Sequence, residues 1–112
     1  VLVAYKGASI ALLAKQAKSV KDKKEGFIEG VSLIELAIEK SPNNIEVRFV
    51  RLCIQENTPK LLKYKGNLEE DKQFLLAQCK NIKFAHLKNH IKDYISQSKV
   101  FTDEEKSVIL DS

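Results

Sequence analysis

The sequence predicts an all-α protein of five to six helices that pack as antiparallel hairpins. Apolar residues recur at intervals of three and four along most of the chain, which is the period of a helix with a buried face. Residues that end helices separate these stretches, such as Ser41-Pro42 and Asn57-Thr58-Pro59. The chain of 112 residues is 44% hydrophobic and 30% charged, which is typical of a globular protein and not of a disordered one. We therefore expect residues 1–112 to form a single domain.

The first two segments of the chain differ in composition. Residues 1–17 predict a helix rich in small side chains, which let a neighbouring helix approach closely. Residues 18–25, with the sequence KSVKDKKE, predict a solvated connection, because they contain too few apolar side chains to pack. The small residues of the first helix are Ala4, Gly7, Ala8, Ala11 and Ala14.

The stretch from Gly26 to Pro59 predicts two helices joined by a turn. The first helix has apolar side chains on two faces, so we expect neighbouring helices on both sides of it. Ser41-Pro42 ends this helix, and Asn43 or Asn44 caps the second, which runs from Ile45 to about Gln55. One face of the first helix carries Phe27, Val31, Ile34 and Ile38, and the other carries Gly30, Leu33, Leu36 and Ala37.

Arg48, Arg51 and Gln55 form a polar strip on the second of these helices, because they lie about one turn apart. In a structural interpretation, the guanidinium groups pair with Glu35 or Glu39 of the preceding helix. In a functional interpretation, the strip faces a groove and binds a carboxylate or phosphate of a partner, which arginine contacts through two hydrogen bonds. Plain solvent exposure is a third alternative. We select Arg48, Arg51 and Gln55 as the candidate partner-binding residues.

The C-terminal half predicts three more helices after a short irregular segment at residues 60–66. The first runs from its cap at Asn67 to about Cys79, with acidic residues 69–71 at the positive end of the helix dipole. The second runs from Lys83 to about Gln97. The last follows the capping box Thr102–Glu105, in which a hydroxyl and a carboxylate stand three residues apart. The apolar anchors of these segments include Leu61, Leu62, Tyr64, Phe84, Leu87, Ile91, Tyr94, Ile95 and Ile109.

Gly30, Ile34, Ala37 and Pro42 stand at the spacings of a known helical repeat. A small residue, a large one four positions later, an alanine and a closing proline resemble the second helix of a tetratricopeptide repeat (TPR). The phrases AYKGAS, NIEVRFVRLCIQENTP and NLEEDKQFLL are similar to a group of small, uncharacterised bacterial TPR-like proteins. The resemblance implies an α-solenoid fragment and little chemistry. Members of that group often begin with an export signal, so the resemblance implies the periplasm as a candidate location. This chain does not contain such a signal.

Two groups of side chains are of types that can bind a metal ion or form a disulfide. His86, His90 and Asp93 lie about one turn apart, and two histidines at this spacing can bind a divalent metal. No glutamate base lies between the histidines as in an HExxH motif, so we expect exposed side chains and no metal. Cys53 and Cys79 stand inside apolar patterns, which indicates buried thiols. A disulfide between them is the alternative in an exported protein.

We expect the chain to be a protein- or peptide-binding module, or scaffold, that uses a groove between helical hairpins, because stacked hairpins leave a concave face. Neither an enzyme nor a cofactor is expected, because no catalytic, metal or nucleotide motif is present. Residues 1–17 lack the features of a membrane span or a signal peptide, and the chain contains no methionine, so we expect a soluble mature product or an excised fragment.

The alternative function is binding of nucleic acid or another anionic surface through the lysine-rich residues 15–24. A net charge of +4 favours it, whereas the scarcity of aromatic side chains for base stacking does not. The two functions differ in salt dependence, because phosphate binding weakens steeply as ionic strength rises. The lysines concerned are Lys18, Lys21, Lys23 and Lys24.

Overall fold

The architecture is all-α, as the sequence predicts. The computed structural model describes residues 1–14, 19–58 and 64–111 of the chain. Within these ranges it contains six α-helices, a 3₁₀ turn at Cys79–Asn81 and no β-strand. No helix in the described ranges is both long and apolar enough to span a lipid bilayer. The helices are α1 (Leu2–Ala14), α2 (Val20–Lys40), α3 (Ile45–Asn57), α4 (Leu68–Gln78), α5 (Ala85–Gln97) and α6 (Asp103–Leu110).

Small residues bring α1 and α2 into close contact, which confirms the prediction made from the composition of α1. Ala4, Ala11 and Ala14 are buried, and α1 makes its most extensive contacts with α2. Gly7 faces Gly30, and a methyl group on either glycine would collide with the carbonyl oxygen of the other. The two backbones therefore pack directly on each other, which requires glycine at both positions. Residues 15–17 of the predicted first helix lie outside the described ranges.

The predicted connection at residues 18–25 is wrong in its described part, because α2 begins within it. Ser19 is the N-cap, and its hydroxyl accepts the amide N–H of Asp22 at 3.0 Å. Asp22 also places a carboxylate in the first turn, where the helix dipole favours it. Residues 21–25 are exposed, as a solvated stretch should be. Because lysine is a good helix former, the low apolar content of this stretch indicates exposure and does not indicate the absence of a helix.

α2 contacts both α1 and α3, which confirms the prediction of neighbours on two sides. Ile34 and Ala37 are buried at these contacts, but Leu36, which was predicted on the second apolar face, is 39% exposed. The turn after α2 also follows the prediction. Asn44 caps α3, and its side-chain oxygen accepts the amide N–H of Val47 at 3.1 Å.

The largest apolar cluster joins α3 to the last three helices. Phe84 is not a member, because it is 75% exposed at the N-cap position of α5, so the predicted apolar stripe of that helix begins at Leu87. The helix itself starts at Ala85 and not at Lys83. The buried members of the cluster are Phe49, Leu52, Leu75, Cys79, Ile91, Ile95, Phe101 and Ile109.

The capping box before α6 is present as predicted. The Thr102 hydroxyl accepts the amide N–H of Glu105 at 3.1 Å, and the Glu105 carboxylate accepts the amide N–H of Thr102 at 2.9 Å. Lys72 of α4 also donates to Glu105 Oε1 at 3.1 Å. The box therefore begins α6 and connects that helix to α4.

The segment before α4 is fixed to α2 through Tyr64. The Tyr64 ring packs edge-on against Phe27 with 6.0 Å between the ring centroids, and its hydroxyl donates to Glu35 at 2.7 Å. These two contacts confirm the prediction that Tyr64 holds this segment in place. The other predicted anchors, Leu61 and Leu62, lie outside the described residues.

Gly30→Ala should destabilise the protein by about 1–3 kcal/mol, because the added methyl group meets the Gly7 carbonyl oxygen and the helices must separate. Gly66→Ala is the matched control, because, apart from its two chain neighbours, no described residue has an atom within 4 Å of the position that its Cβ would take. We expect the control to be neutral or slightly stabilising. Urea unfolding followed by circular dichroism measures both effects. Equal free energies of unfolding for the two variants would contradict the close α1–α2 contact.

Candidate functional site

The predicted strip of Arg48, Arg51 and Gln55 lies inside the protein, where the three residues are 8%, 3% and 0% exposed. All three side chains donate to one carboxylate, that of the fully buried Asp71 in the first turn of α4. Arg51 contacts it through two hydrogen bonds of 2.7 Å, from Nε and Nη2. Arg48 Nη1 donates at 3.1 Å and Gln55 Nε2 at 2.8 Å. We call these four residues the Asp71 cluster.

Two further carboxylates contact the arginines at the edge of the Asp71 cluster. Glu70 accepts from Arg48 at 2.9 Å, and Glu35 of α2 accepts from Arg51 Nη1 at 3.0 Å. The hydrogen bond from Arg48 holds the pKa of Glu70 below its usual value. Every buried side-chain nitrogen and oxygen in the described ranges has a hydrogen-bond partner. Because the groups come from α2, α3 and α4, the cluster ties three helices together.

The structural interpretation of the arginines is confirmed for Arg51, which pairs with Glu35. Glu39, the other partner considered from sequence, is exposed. Asp71 is the partner that sequence reasoning missed, because its place at the start of a helix indicated only a contact with the helix dipole. The role of the polar strip in binding a partner stays a prediction. Burial means that a ligand reaches the strip only if α4 moves away from α3.

Asn67 does not cap α4 with its side chain, so that prediction is wrong. Its side-chain amide instead donates to Glu70 at 3.0 Å. Its backbone N–H donates to Gln55 Oε1 at 2.9 Å, while Gln55 Nε2 donates to Asp71. Gln55 therefore connects the Asp71 cluster to the backbone at the start of α4.

A second polar network lies at the C-terminal end of α3 and is centred on Glu56. Its Oε1 accepts from the Tyr94 hydroxyl at 3.0 Å and from the Ser98 hydroxyl at 2.8 Å, and its Oε2 accepts the backbone N–H of Lys99 at 3.1 Å. Glu56 thus fixes the chain where it leaves α5. These contacts join residues 38 to 43 positions apart, which no local sequence pattern reveals.

An open cleft of about 350 Å³ lies between the end of α3 and α5, and the Glu56 network forms part of its wall. This volume is at the lower end of the range of small-molecule pockets. Asp93 and Gln97 in the cleft are exposed, and their side chains form no hydrogen bond to another residue in the described part of the chain. The residues that line this α3–α5 cleft are Glu56, Asn57, His90, Asp93, Tyr94, Gln97 and Ser98.

Phe49 connects the α3–α5 cleft to the apolar core. Its ring contacts the rings of His90 and Tyr94 edge-on, with centroid distances of 5.7 Å and 5.4 Å. His86 and His90 are exposed, as predicted. Among the residues that the structure describes, no group of three or more His, Cys, Asp or Glu side chains could hold a metal ion.

Cys53 and Cys79 are both thiols in the structure, and both pack in the largest apolar cluster. Cys79 is buried, as predicted, whereas Cys53 is only half-buried. Burial raises the pKa of the Cys53 thiol to about 12, so this thiol stays protonated at neutral pH and is a poor nucleophile.

The lysines of the alternative function lie at the start of α2. Lys21, Lys23 and Lys24 are exposed, and Lys21 lies 4.0 Å from the carboxylate of Glu25. Residues 15–18, Lys18 among them, lie outside the described ranges. An anionic surface could reach the three described lysines, and this function stays a prediction.

Comparison with known proteins gives no match for this chain: no family model, no curated protein and no solved structure matches it. The resemblance to tetratricopeptide repeats therefore stays a prediction, as does the single domain over residues 1–112.

Asp71→Asn should lower the free energy of unfolding by about 3–5 kcal/mol, because it leaves two buried guanidinium groups without their shared carboxylate. Asp93→Asn is the matched control on an exposed carboxylate, and we expect it to change stability by less than about 0.5 kcal/mol. Denaturant titration at pH 7 measures both. A loss for Asp71→Asn as small as that of the control would show that the cluster adds nothing to stability.

Stability should fall when the pH is lowered below about 4.5, and Glu70 should contribute to the fall. Its pKa is lower in the folded protein than in the unfolded chain, mainly through the hydrogen bond from Arg48. Its contribution is therefore complete above the unfolded-state pKa, and it is lost as the pH drops through the folded-state pKa. Urea midpoints at neutral and acidic pH should differ less for Glu70→Gln than for the wild type. Glu29→Gln, at an exposed position of α2, should keep the wild-type difference, and identical profiles for all three proteins would disprove the contribution.

Proposed function

We propose that the chain is a non-catalytic, TPR-like interaction module that binds a protein or peptide segment in the α3–α5 cleft. The single observation that carries the proposal is the cleft itself, in which a wall fixed by the Glu56 hydrogen bonds stands beside exposed groups. Asp93 and Gln97 offer acceptors and donors to a partner segment without giving up bonds inside the described part of the protein. A pre-formed wall reduces the ordering cost of binding.

The direction of the helices supports a stack of three hairpins. In α1 and α2, Gly7 lies against Gly30 and Ala14 lies against Gly26, so the two helices run antiparallel. In the same way, α3 runs antiparallel to α4, and α5 runs antiparallel to α6. The pairs that establish it are Arg48 with Glu70 and Gln55 with Asn67, then Lys92 with Leu110 and Lys106 with Ser96.

The first helices of the three hairpins run parallel to one another. Tyr5 of α1 donates to Glu46 near the start of α3, and Ala11 packs in the same apolar cluster as Ile54 further along α3. Helices α3 and α5 also run in the same direction, since Phe49 contacts His90, and Glu56 contacts Ser98. In a solenoid of hairpins, equivalent helices of successive units stack side by side and line one surface. The α3–α5 cleft lies between two such helices, which supports its use as the binding groove.

The surroundings of the residues in the repeat-like pattern are compatible with that pattern. Gly30 admits the backbone of α1, Ile34 and Ala37 are buried, and Pro42 lies in the turn between α2 and α3. These roles support the TPR-like part of the proposal.

Selection of peptides from a random library displayed on phage, with the folded 112-residue chain as bait, supplies a defined ligand for the test. Binding of a labelled, selected peptide is then measured by fluorescence polarisation. We expect Gln97→Arg to weaken binding by about tenfold or more, because a longer charged side chain enters the cleft. Gln73→Arg is the matched control, because it makes the same change at an exposed position of α4 outside the cleft.

Equal affinities of the wild type and Gln97→Arg would contradict the α3–α5 cleft as the binding site, and so would a selection that yields no binding peptide. The alternative function is tested in parallel with a labelled oligonucleotide at rising salt. Tight binding at low salt that disappears at high salt, and that Lys21→Glu/Lys23→Glu/Lys24→Glu abolishes, would favour the anionic-surface alternative.

A further inference from the structure

The α3–α5 cleft is negatively charged, although the protein as a whole is positive. The chain has 19 lysines and arginines and a net charge of +4. None of these basic residues lines the described wall of the cleft, whereas the carboxylates of Glu56 and Asp93 do. Two carboxylates outweigh a single histidine, so the lining stays negative even when His90 carries a proton. The charge of the cleft is therefore opposite in sign to the charge of the chain.

Neither carboxylate of the cleft has a lysine or arginine as its partner in the described part of the chain. The ion pairs in the described ranges join basic side chains to other acidic residues, none of which lines the cleft. The Lys65 ammonium donates to the main-chain oxygen of Glu56 at 3.3 Å and forms no ion pair with its carboxylate. Within these ranges, the negative charges of Glu56 and Asp93 are thus not compensated by a basic side chain.

The hydrogen bonds of Glu56 orient its carboxylate without cancelling its charge. The donors are the hydroxyls of Tyr94 and Ser98 and the backbone N–H of Lys99, and all three are neutral. A carboxylate has about four acceptor positions, so one position on Glu56 stays free within the described ranges. Asp93 is exposed, and its carboxylate forms no hydrogen bond in the described part of the chain. The cleft therefore offers acceptors that carry negative charge.

We propose that the partner segment inserts a lysine or arginine side chain into the α3–α5 cleft. The cation donates to Asp93 and lies beside the carboxylate of Glu56, while the aliphatic stem covers part of the Tyr94 ring. The inference rests on the proposed binding of a peptide in this cleft, and it names the kind of side chain that the cleft selects.

Charge complementarity distinguishes this occupant from other side chains. A carboxylate or phosphate of a partner would meet two carboxylates and no lysine or arginine of the described lining, which is unfavourable. An apolar side chain would displace water from Asp93 without supplying a donor, and burial of a charge without a partner is costly. A cation avoids both costs, because it supplies donors to carboxylates that no described basic side chain neutralises.

The composition of selected peptides is the first test, because overall charge and local charge predict opposite results. A protein with a net charge of +4 attracts acidic peptides in general. Phage-selected peptides that bind Gln97→Arg more weakly than the wild type are the cleft binders, and they should share a lysine or arginine at one position. Replacing that residue with norleucine should weaken binding by about tenfold in fluorescence polarisation, because the cation is lost and the stem is kept. Exchanging lysine and arginine there should cost less than norleucine and identifies the preferred cation.

Substitutions that change charge and keep shape test the same pairing from the side of the protein. Asp93→Asn should weaken binding of the selected peptide by about threefold at low salt. Glu29→Gln is the matched control, because it removes the same charge at an exposed position of α2 outside the cleft. Gln97→Glu should strengthen binding, because it adds a carboxylate with almost no change in size. Gln73→Glu on α4 is its control and should bind as the wild type does.

The outcomes separate a failure of this inference from a failure of the proposed function. If Gln97→Arg weakens binding but norleucine or Asp93→Asn does not, the cleft binds peptides and the cationic side chain is wrong. Weakening by Gln97→Glu as large as that by Gln97→Arg would also overturn the inference, as would equal losses in Asp93→Asn and Glu29→Gln. Equal affinities of the wild type and Gln97→Arg would contradict the proposed function and, with it, this inference. Circular dichroism verifies that each variant is folded.

Discussion

The buried carboxylate of Asp71 is the interaction on which the rest of the structure depends. A charge without a partner in this position would cost several kcal/mol, and the same holds for each of the two arginines that donate to it. α3 and α4 therefore cannot slide or separate without leaving charges unpaired. The two parallel hydrogen bonds from Arg51 require one orientation of the carboxylate, which fixes the register between the two helices. Glu35 extends the same constraint to α2.

α3 is the central helix because it carries both polar networks. Arg48, Arg51 and Gln55 bind α4 on one side, while Glu56 begins the network that reaches α5 on another. The first network is closed and buried, so it acts as a structural joint. The second is partly open and forms a wall of the α3–α5 cleft, so the same helix that fixes the architecture also positions the groove that we propose for a partner.

Features set by neighbouring residues in the sequence could be predicted, and features set by distant ones could not. The caps at Asn44 and Thr102 are visible in the sequence because each bonds an amide three residues away. The partners of Asp71 lie 16 to 23 residues from it, so they depend on how α3 and α4 pack. The same holds for the contacts of Glu56. The spacing of Phe84 predicts that its ring joins the apolar stripe of α5, but the helix starts one residue after it and leaves the ring exposed.

A double-mutant cycle between Arg51 and Asp71 tests most directly whether their contact holds α3 to α4. The free energy of unfolding is measured for the wild type, Arg51→Met, Asp71→Leu and the double variant. If the contact has the role described, the double variant loses less stability than the two single losses added together, and the difference is about 1–3 kcal/mol. Losses that add to within about 0.5 kcal/mol would mean that the two side chains act independently, and the central role of the Asp71 cluster would be wrong.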